Sequence, residues 1–117
     1  MRILVEPSGA VLAERATIAR TLPARLKGLL GRRQIREGEA MVFPQCRSIH
    51  TIGMRVPIDA IFVDRAWRVV GLRAGLGPWR VVCPVWSAWG VVEMAQGTLS
   101  RIRLQVGDQL NLLQSSG

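Results

Sequence analysis

The chain has 117 residues, 49% of them hydrophobic, and a formal net charge of +8. Those values fit one globular domain with a buried core and exclude a disordered polar chain. No apolar run approaches the ~20 residues that cross a bilayer, and two cysteines 37 positions apart are too few for a disulfide-stapled scaffold.

In chain order, Met1-Arg2-Ile3-Leu4-Val5-Glu6-Pro7 has too short an apolar stretch for a signal-peptide core. A cytoplasmic location with reduced thiols is therefore expected. Arg2 to Val5 reads as a short strand, Pro7-Ser8-Gly9 as a turn, and Val11 to Arg20 as a second strand region with imperfect alternation. A helix is predicted over about 22–30. Pro23 suits its first turn, Leu22, Leu26, Leu29 and Leu30 line one face, and Gly31 is a natural stop. The remainder reads as β. Ala40 to Phe43 is a strand ended by Pro44, and Ser48 to Met54 is extended. Pro57 precedes the very apolar Ile58 to Val63, and Asp64-Arg65-Ala66 is a tight connection into Trp67 to Ala74. Gly75, Gly77 and Pro78 form a loop, and Trp79 to Cys83 reads as a further strand. Trp89 to Met94 is a strand leading to a Gln96-Gly97 turn. Thr98 to Leu104 suits one helical turn, and Gly107-Asp108 turns the chain into a last strand, Gln109 to Leu113. Many short strands with one early helix imply a mainly β fold, a sandwich or a barrel-like closure, in a single domain over 1–117.

Of the 16 basic residues 15 are arginine, scattered from Arg2 to Arg103, with the densest group at Arg25, Lys27, Arg32, Arg33 and Arg36. Nucleic acid or an anionic surface is one class of partner this charge allows. Helix-end and solubility roles account for the group around the helix. Polar surprises concentrate in 46–64. His50, the one histidine, suits acid–base work or a hydrogen-bonded core position. Asp59, between Ile58 and Ala60, needs a partner, and Arg55 across the Pro57 bend is a natural one. Glu93 in Val91-Val92-Glu93-Met94 either points to solvent or shares a pocket with Asp59, which would raise at least one of the two carboxyl pKa values. Cys46, His50 and Cys83 lack a fourth ligand and the paired spacing of zinc sites, so no metal or other cofactor is expected. No Walker loop, dinucleotide fingerprint, nucleophile elbow or HExxH occurs. The tryptophans at 67, 79, 86 and 89 serve either as core or as the wall of a ligand pocket.

Four runs in this order carry a resemblance. They are Arg25-x-x-Gly28-Leu29-Leu30-Gly31-Arg32; Cys46-x-x-x-His50 through Met54-Arg55-x-Pro57-Ile58-Asp59-x-x-Phe62-x-Asp64; Val92-Glu93-x-x-x-Gly97; and Gly107-Asp108. Over roughly residues 10–113 the chain resembles the DUF192 family, also called UPF0127, small bacterial and archaeal proteins of unassigned function. The resemblance implies a compact β-rich fold with a short early helix and implies no reaction. Many relatives carry Trp-Met-Lys-Asn-Thr where this chain has His50 to Met54, so histidine chemistry is not implied, and Asp59 and Glu93 gain weight as site residues. Arg25, Gly28, Pro57, Gly97, Gly107 and Asp108 are then structural parts of the motif.

The resulting expectation is a small non-catalytic domain binding a small molecule or peptide, with a pocket near His50, Arg55, Asp59 and Glu93. The alternatives are a hydrolase or lyase using Asp59 or Glu93 with His50, and an arginine-rich binder of nucleic acid or an anionic surface. The enzyme requires the two carboxylates and the imidazole around one cavity.

Overall fold

The computed structural model describes residues 1–19, 35–47, 57–77 and 84–114, together with the backbone of 49–50 and 81–82. The expected helix over 22–30 lies outside the described residues, as do Arg25, Gly28, Arg55, Pro78 and Cys83.

The described strands are β1 (Arg2–Glu6), β2 (Ala10–Ala13), β3 (Arg15–Ile18), β4 (Glu39–Pro44), β5 (Ile49–His50), β6 (Ile58–Val63), β7 (Val69–Leu76), β8 (Val81–Val82), β9 (Gly90–Ala95) and β10 (Gln109–Leu113). One short helix, α1, covers Thr98–Arg101. The strands form a three-stranded sheet in the order β10-β1-β2, a five-stranded sheet in the order β3-β4-β9-β6-β7, and a two-stranded ribbon of β5 and β8. This is the sandwich alternative; no sheet among the described residues closes into a barrel.

Burial explains the order. β6 and β9 sit in the interior of the larger sheet, and every residue of β6 is buried, because both of its faces are covered. At the edges burial becomes partial, as in β7, where Arg73, Ala74 and Gly75 are exposed. One face of the large sheet carries Ala40, Val42, Ile61, Val63, Val92 and Met94. These pack with Ile3, Val5, Leu12 and Leu110 of the smaller sheet. The opposite face carries Met41, Phe43, Ile58, Ala60, Phe62 and Val91, packed with Ala19, Ile35 and Ala88.

Two expectations change here. The described part of the region expected as one strand from Val11 to Arg20 holds two strands in two different sheets: β2 pairs antiparallel with β1, and β3 pairs parallel with β4. The chain changes sheets at Glu14, and the Glu14 and Arg15 N–H groups both donate to the Gly38 carbonyl at 2.9 Å. That switch is why period-2 alternation is imperfect across the region. Gly75, expected in a loop, lies within β7. Ile58 pairs with Leu76 and Ala60 with Arg73, so Ala74 and Gly75 together stand opposite Asp59. This is a β-bulge, and Gly75 takes a positive φ of 63° in it.

Candidate functional site

Asp59 is the most consequential polar residue of the large sheet. It is 1% exposed, and a buried carboxylate is tolerated only when hydrogen-bonded. The bulge takes the Gly75 N–H out of the strand ladder, and Asp59 Oδ1 accepts it at 2.8 Å. Asp59 Oδ2 accepts the Leu99 N–H at 2.9 Å. Leu99 lies in the first turn of α1, whose N-cap is Gly97 at φ 93° with no capping side chain. Asp59 thus supplies from another strand the acceptor that the helix start lacks. Each oxygen holds one backbone donor, and the side chain ties β6 to both β7 and α1.

Glu93 does not share this environment. Directly paired residues of a sheet present their side chains to the same face. Asp59 pairs with Met94, on the face packed against the small sheet, whereas Ala60 and Met41 both pair with Glu93. Glu93 is buried, 4% exposed, on the opposite face, so the solvent-facing explanation for it fails as well. The structure therefore does not bring Asp59 and Glu93 into one cavity, and the geometry required for a shared two-carboxylate site is absent. His50 pairs through its backbone with Val81 in the two-stranded ribbon. The Arg55 partnership expected for Asp59 lies outside the described residues.

The remaining motif residues also serve turns. Asp64 Oδ1 accepts the N–H groups of Ala66 and Arg68, each at 2.9 Å. Asp108 Oδ2 accepts the Gln105 N–H at 2.9 Å, while Gly107, at φ 100°, donates to the Val69 carbonyl.

An open cleft of about 690 Å³ lies at the other end of β6 from Asp59, lined by Gln45 and Arg47 after β4, Asp64 to Ala66 in the β6–β7 turn, and Trp86 to Trp89 before β9. Its walls are fixed by the backbone. Cys46 N–H donates to the Trp89 carbonyl, Trp89 N–H to the Val63 carbonyl, and Val85 N–H to the Arg47 carbonyl. Arg47 Nε donates to the Ala88 carbonyl at 3.2 Å, and the guanidinium carbon stands 6.0 Å from the centroid of the Trp86 ring. Trp86 is 76% exposed.

The two non-glycine residues with positive φ among the described residues, Gln45 at 56° and Trp67 at 64°, both lie at this end. Trp67 closes the β6–β7 hairpin, donating its N–H to the Asp64 carbonyl in the position that glycine normally takes in such loops. Its ring meets Trp89 edge-on, with centroids 5.6 Å apart. Strain held by surrounding packing is a recurrent property of ligand sites. It also orders two substitutions. Trp67→Gly and Trp67→Ala both lose the ring contact, but alanine keeps the left-handed strain. Trp67→Ala should therefore be the less stable by about 1 kcal/mol in urea denaturation. The reverse order would remove the strain argument.

Sequence does not single out Arg47 and Arg65 as site residues, whereas Trp86 is one of the four tryptophans expected as core or pocket wall. Arg47 and Trp86 are 39 positions apart, and hydrogen bonds between their segments, among them Val85 N–H to the Arg47 carbonyl and Arg47 Nε to the Ala88 carbonyl, bring them together. The described arginines elsewhere are distributed over β1, β3, the approach to β4, β7 with the turn before it, and the α1 region, and Arg15, Arg68, Arg73 and Arg101 bond to groups of the chain itself. Among the described residues no three His, Cys, Asp or Glu side chains converge, and no helix is long and apolar enough to cross a membrane.

The family DUF192, described as "Uncharacterized ACR", matches residues 3–112. A UPF0127 protein of Pyrococcus furiosus is 38% identical over 63 residues, 54% of this chain and 53% of that protein. A UPF0127 protein of Pyrococcus horikoshii is 36% identical over 63 residues, 54% of each chain. The match thus spans about half the length of these curated relatives. The crystal structure of a protein of unknown function from Novosphingobium aromaticivorans shares the fold, with a TM-score of 0.80 at 24% identity, covering 96% of this chain and 84% of that one. The order of motifs, the sandwich that they build and the match over nearly the whole sequence agree: the chain belongs to the DUF192 (UPF0127) family.

Proposed function

We propose that this chain is a non-catalytic domain that binds a small ligand in the open cleft formed by the β4 exit, the β6–β7 turn and the segment before β9. The observation that carries the reading is the contrast between the two ends of β6. At one end Asp59 is buried and both its oxygens hold backbone donors. At the other, Arg47, Arg65 and an exposed indole border about 690 Å³ of open space. A general base needs a free proton-accepting atom within reach of substrate, whereas Asp59 is buried and already engaged. The cleft falls within the ~300–1,000 Å³ typical of small-molecule sites, which favours a small molecule over a peptide.

A thermal-shift screen against a metabolite library tests this. A ligand of the folded state at about 100 times its Kd adds about 2.7 kcal/mol of stability. Hits should move the indole N–H resonances of Trp86 and Trp89 and should emerge from incubation unaltered. Turnover of a hit, or hits whose contacts map to the Asp59 end, would overturn the proposal.

A further inference from the structure

We infer that the cleft selects a small anion carrying a flat ring, with its charge taken by Arg47 and Arg65 and its ring by the indole of Trp86. The inference rests on the cleft being the binding site and adds the chemistry of what enters it.

Arg47 is held but not neutralised. Of its five N–H donors one, at Nε, is given to the Ala88 carbonyl. The terminal nitrogens have no acceptor among the described residues, and the cation stands beside the Trp86 ring. A guanidinium fixed in this way keeps its paired donors for a carboxylate or phosphate, which it binds bidentately. Arg65 occupies the exposed tip of the β6–β7 turn, and its side chain has no partner among the described residues. Asp64, the adjacent carboxylate, accepts the Ala66 and Arg68 N–H groups and forms no ion pair with Arg65 among the described residues. Two arginines against one aspartate leave the lining with a formal charge of +1.

Charge alone would admit any anion; the indole narrows the class. Among the described residues Trp86 is the most exposed of the large hydrophobic side chains, yet it sits on a segment fixed by backbone bonds from Val85 and to Val85 from Ala88. An exposed aromatic on a rigid wall stacks a planar group at little conformational cost, and a neighbouring cation strengthens the pairing. The left-handed residues Gln45 and Trp67 show that the local backbone is held against its own preference at this end of the molecule.

The test titrates the full chain and follows the Trp86 and Trp89 indole resonances. Adenosine 5′-monophosphate and 2-naphthoate supply ring plus charge from two sources, a phosphate and a carboxylate. Adenosine and 2-naphthalenemethanol supply the ring alone, and inorganic phosphate the charge alone. At least one charged-ring probe should bind about tenfold or more tighter than its neutral counterpart and than inorganic phosphate. Binding should weaken as salt screens the arginines. Arg65→Gln changes an exposed turn residue and should leave the melting temperature unchanged while weakening the charged probes by about tenfold and sparing the neutral ones. Arg47→Lys keeps the charge but not the fork and should weaken them as well. Trp86→Ala should remove the advantage of the ring-bearing anions over phosphate.

Neutral rings that bind as tightly as their anions, or an Arg65→Gln variant that binds both equally well, would overturn the inference while leaving a small-ligand cleft intact. A single-stranded oligonucleotide that binds more than about tenfold tighter than the mononucleotide would overturn it in favour of a nucleic-acid surface. If no probe or library compound of any charge moves the two indole resonances, the cleft reading itself fails.

Discussion

Replacing Asp59 by alanine is expected to lower folding stability by about 3–5 kcal/mol, because two part-buried backbone N–H groups would lose their acceptor at about 1–3 kcal/mol each. The donors are the N–H groups of Gly75, released from the ladder by the β7 bulge, and of Leu99, at the start of a helix with no capping side chain. Asp59→Asn removes less but does not rescue the site. Its amide oxygen can accept one of the two N–H groups, while its NH2 meets the other donor head-on. A loss of about 2–4 kcal/mol follows. For a domain of this size each kcal/mol lowers the melting temperature by roughly 3–6 °C, so both changes should be plain in thermal and urea denaturation. The distinguishing readout is the cleft: folded Asp59→Asn protein should bind any ligand of the wild type with unchanged affinity. Wild-type stability in the variant, or lost binding without lost stability, would defeat the clamp assignment.

That assignment changes what the family motif means in this chain. Asp59, Asp64 and Asp108 all accept backbone N–H groups, and Gly97 and Gly107 stand at positive φ in the turns beside them. These residues fix a bulge, a hairpin, a helix start and the turn into β10. Carboxylates in apolar strands look like catalytic groups in sequence because both roles require a charge among hydrophobic neighbours. Here the charge serves the backbone.

The parts legible in sequence are those that local pattern controls. Ile58 to Val63 is a continuous apolar run and forms the central strand, and Asp64-Arg65-Ala66 announces the hairpin to β7. Gly107-Asp108 before alternating residues marks β10, and Gln96-Gly97 marks the turn before α1. What pattern cannot supply is the identity of a distant partner. Asp59 was visibly in need of one, yet its donors are 16 and 40 positions away. The face on which Glu93 lies is a matter of register with Ala60 and Met41, again set by pairing across the sheet. The cleft was hidden for the same reason: Trp86 could be read as core or as pocket wall, and Arg47 is unremarkable until the segment before β9 folds back against the β4 exit. The switch of sheets at Glu14 leaves no local mark beyond broken alternation.

On the opposite face of β6 the largest effect falls on Phe62. It is 0% exposed and, among the described residues, the largest of the fully buried side chains, packed with Ile58, Ala60, Val91, Ile35 and Ala88. Its partner across β7 is Gly71, where even a Cβ would stand only 3.4 Å from that of Phe62; the small residue makes room for the large one. The Arg73 guanidinium carbon lies 5.9 Å from the ring centroid and closes the exposed side. Phe62→Ala removes the ring from a site whose neighbours are anchored in strands and cannot collapse into the space, so a loss of about 3–5 kcal/mol is expected. Phe62→Leu keeps most of the volume and should cost less than about 1.5 kcal/mol. That milder variant also tests the separation of the two faces. Asp59 and Phe62 are three residues apart on one strand, roughly 10 Å, and project to opposite sides. The Asp59→Asn and Phe62→Leu losses should therefore add to within about 0.5 kcal/mol in urea denaturation. Coupling well beyond that would show that the two faces of β6 respond as one unit, and would reopen the case for a site shared between them.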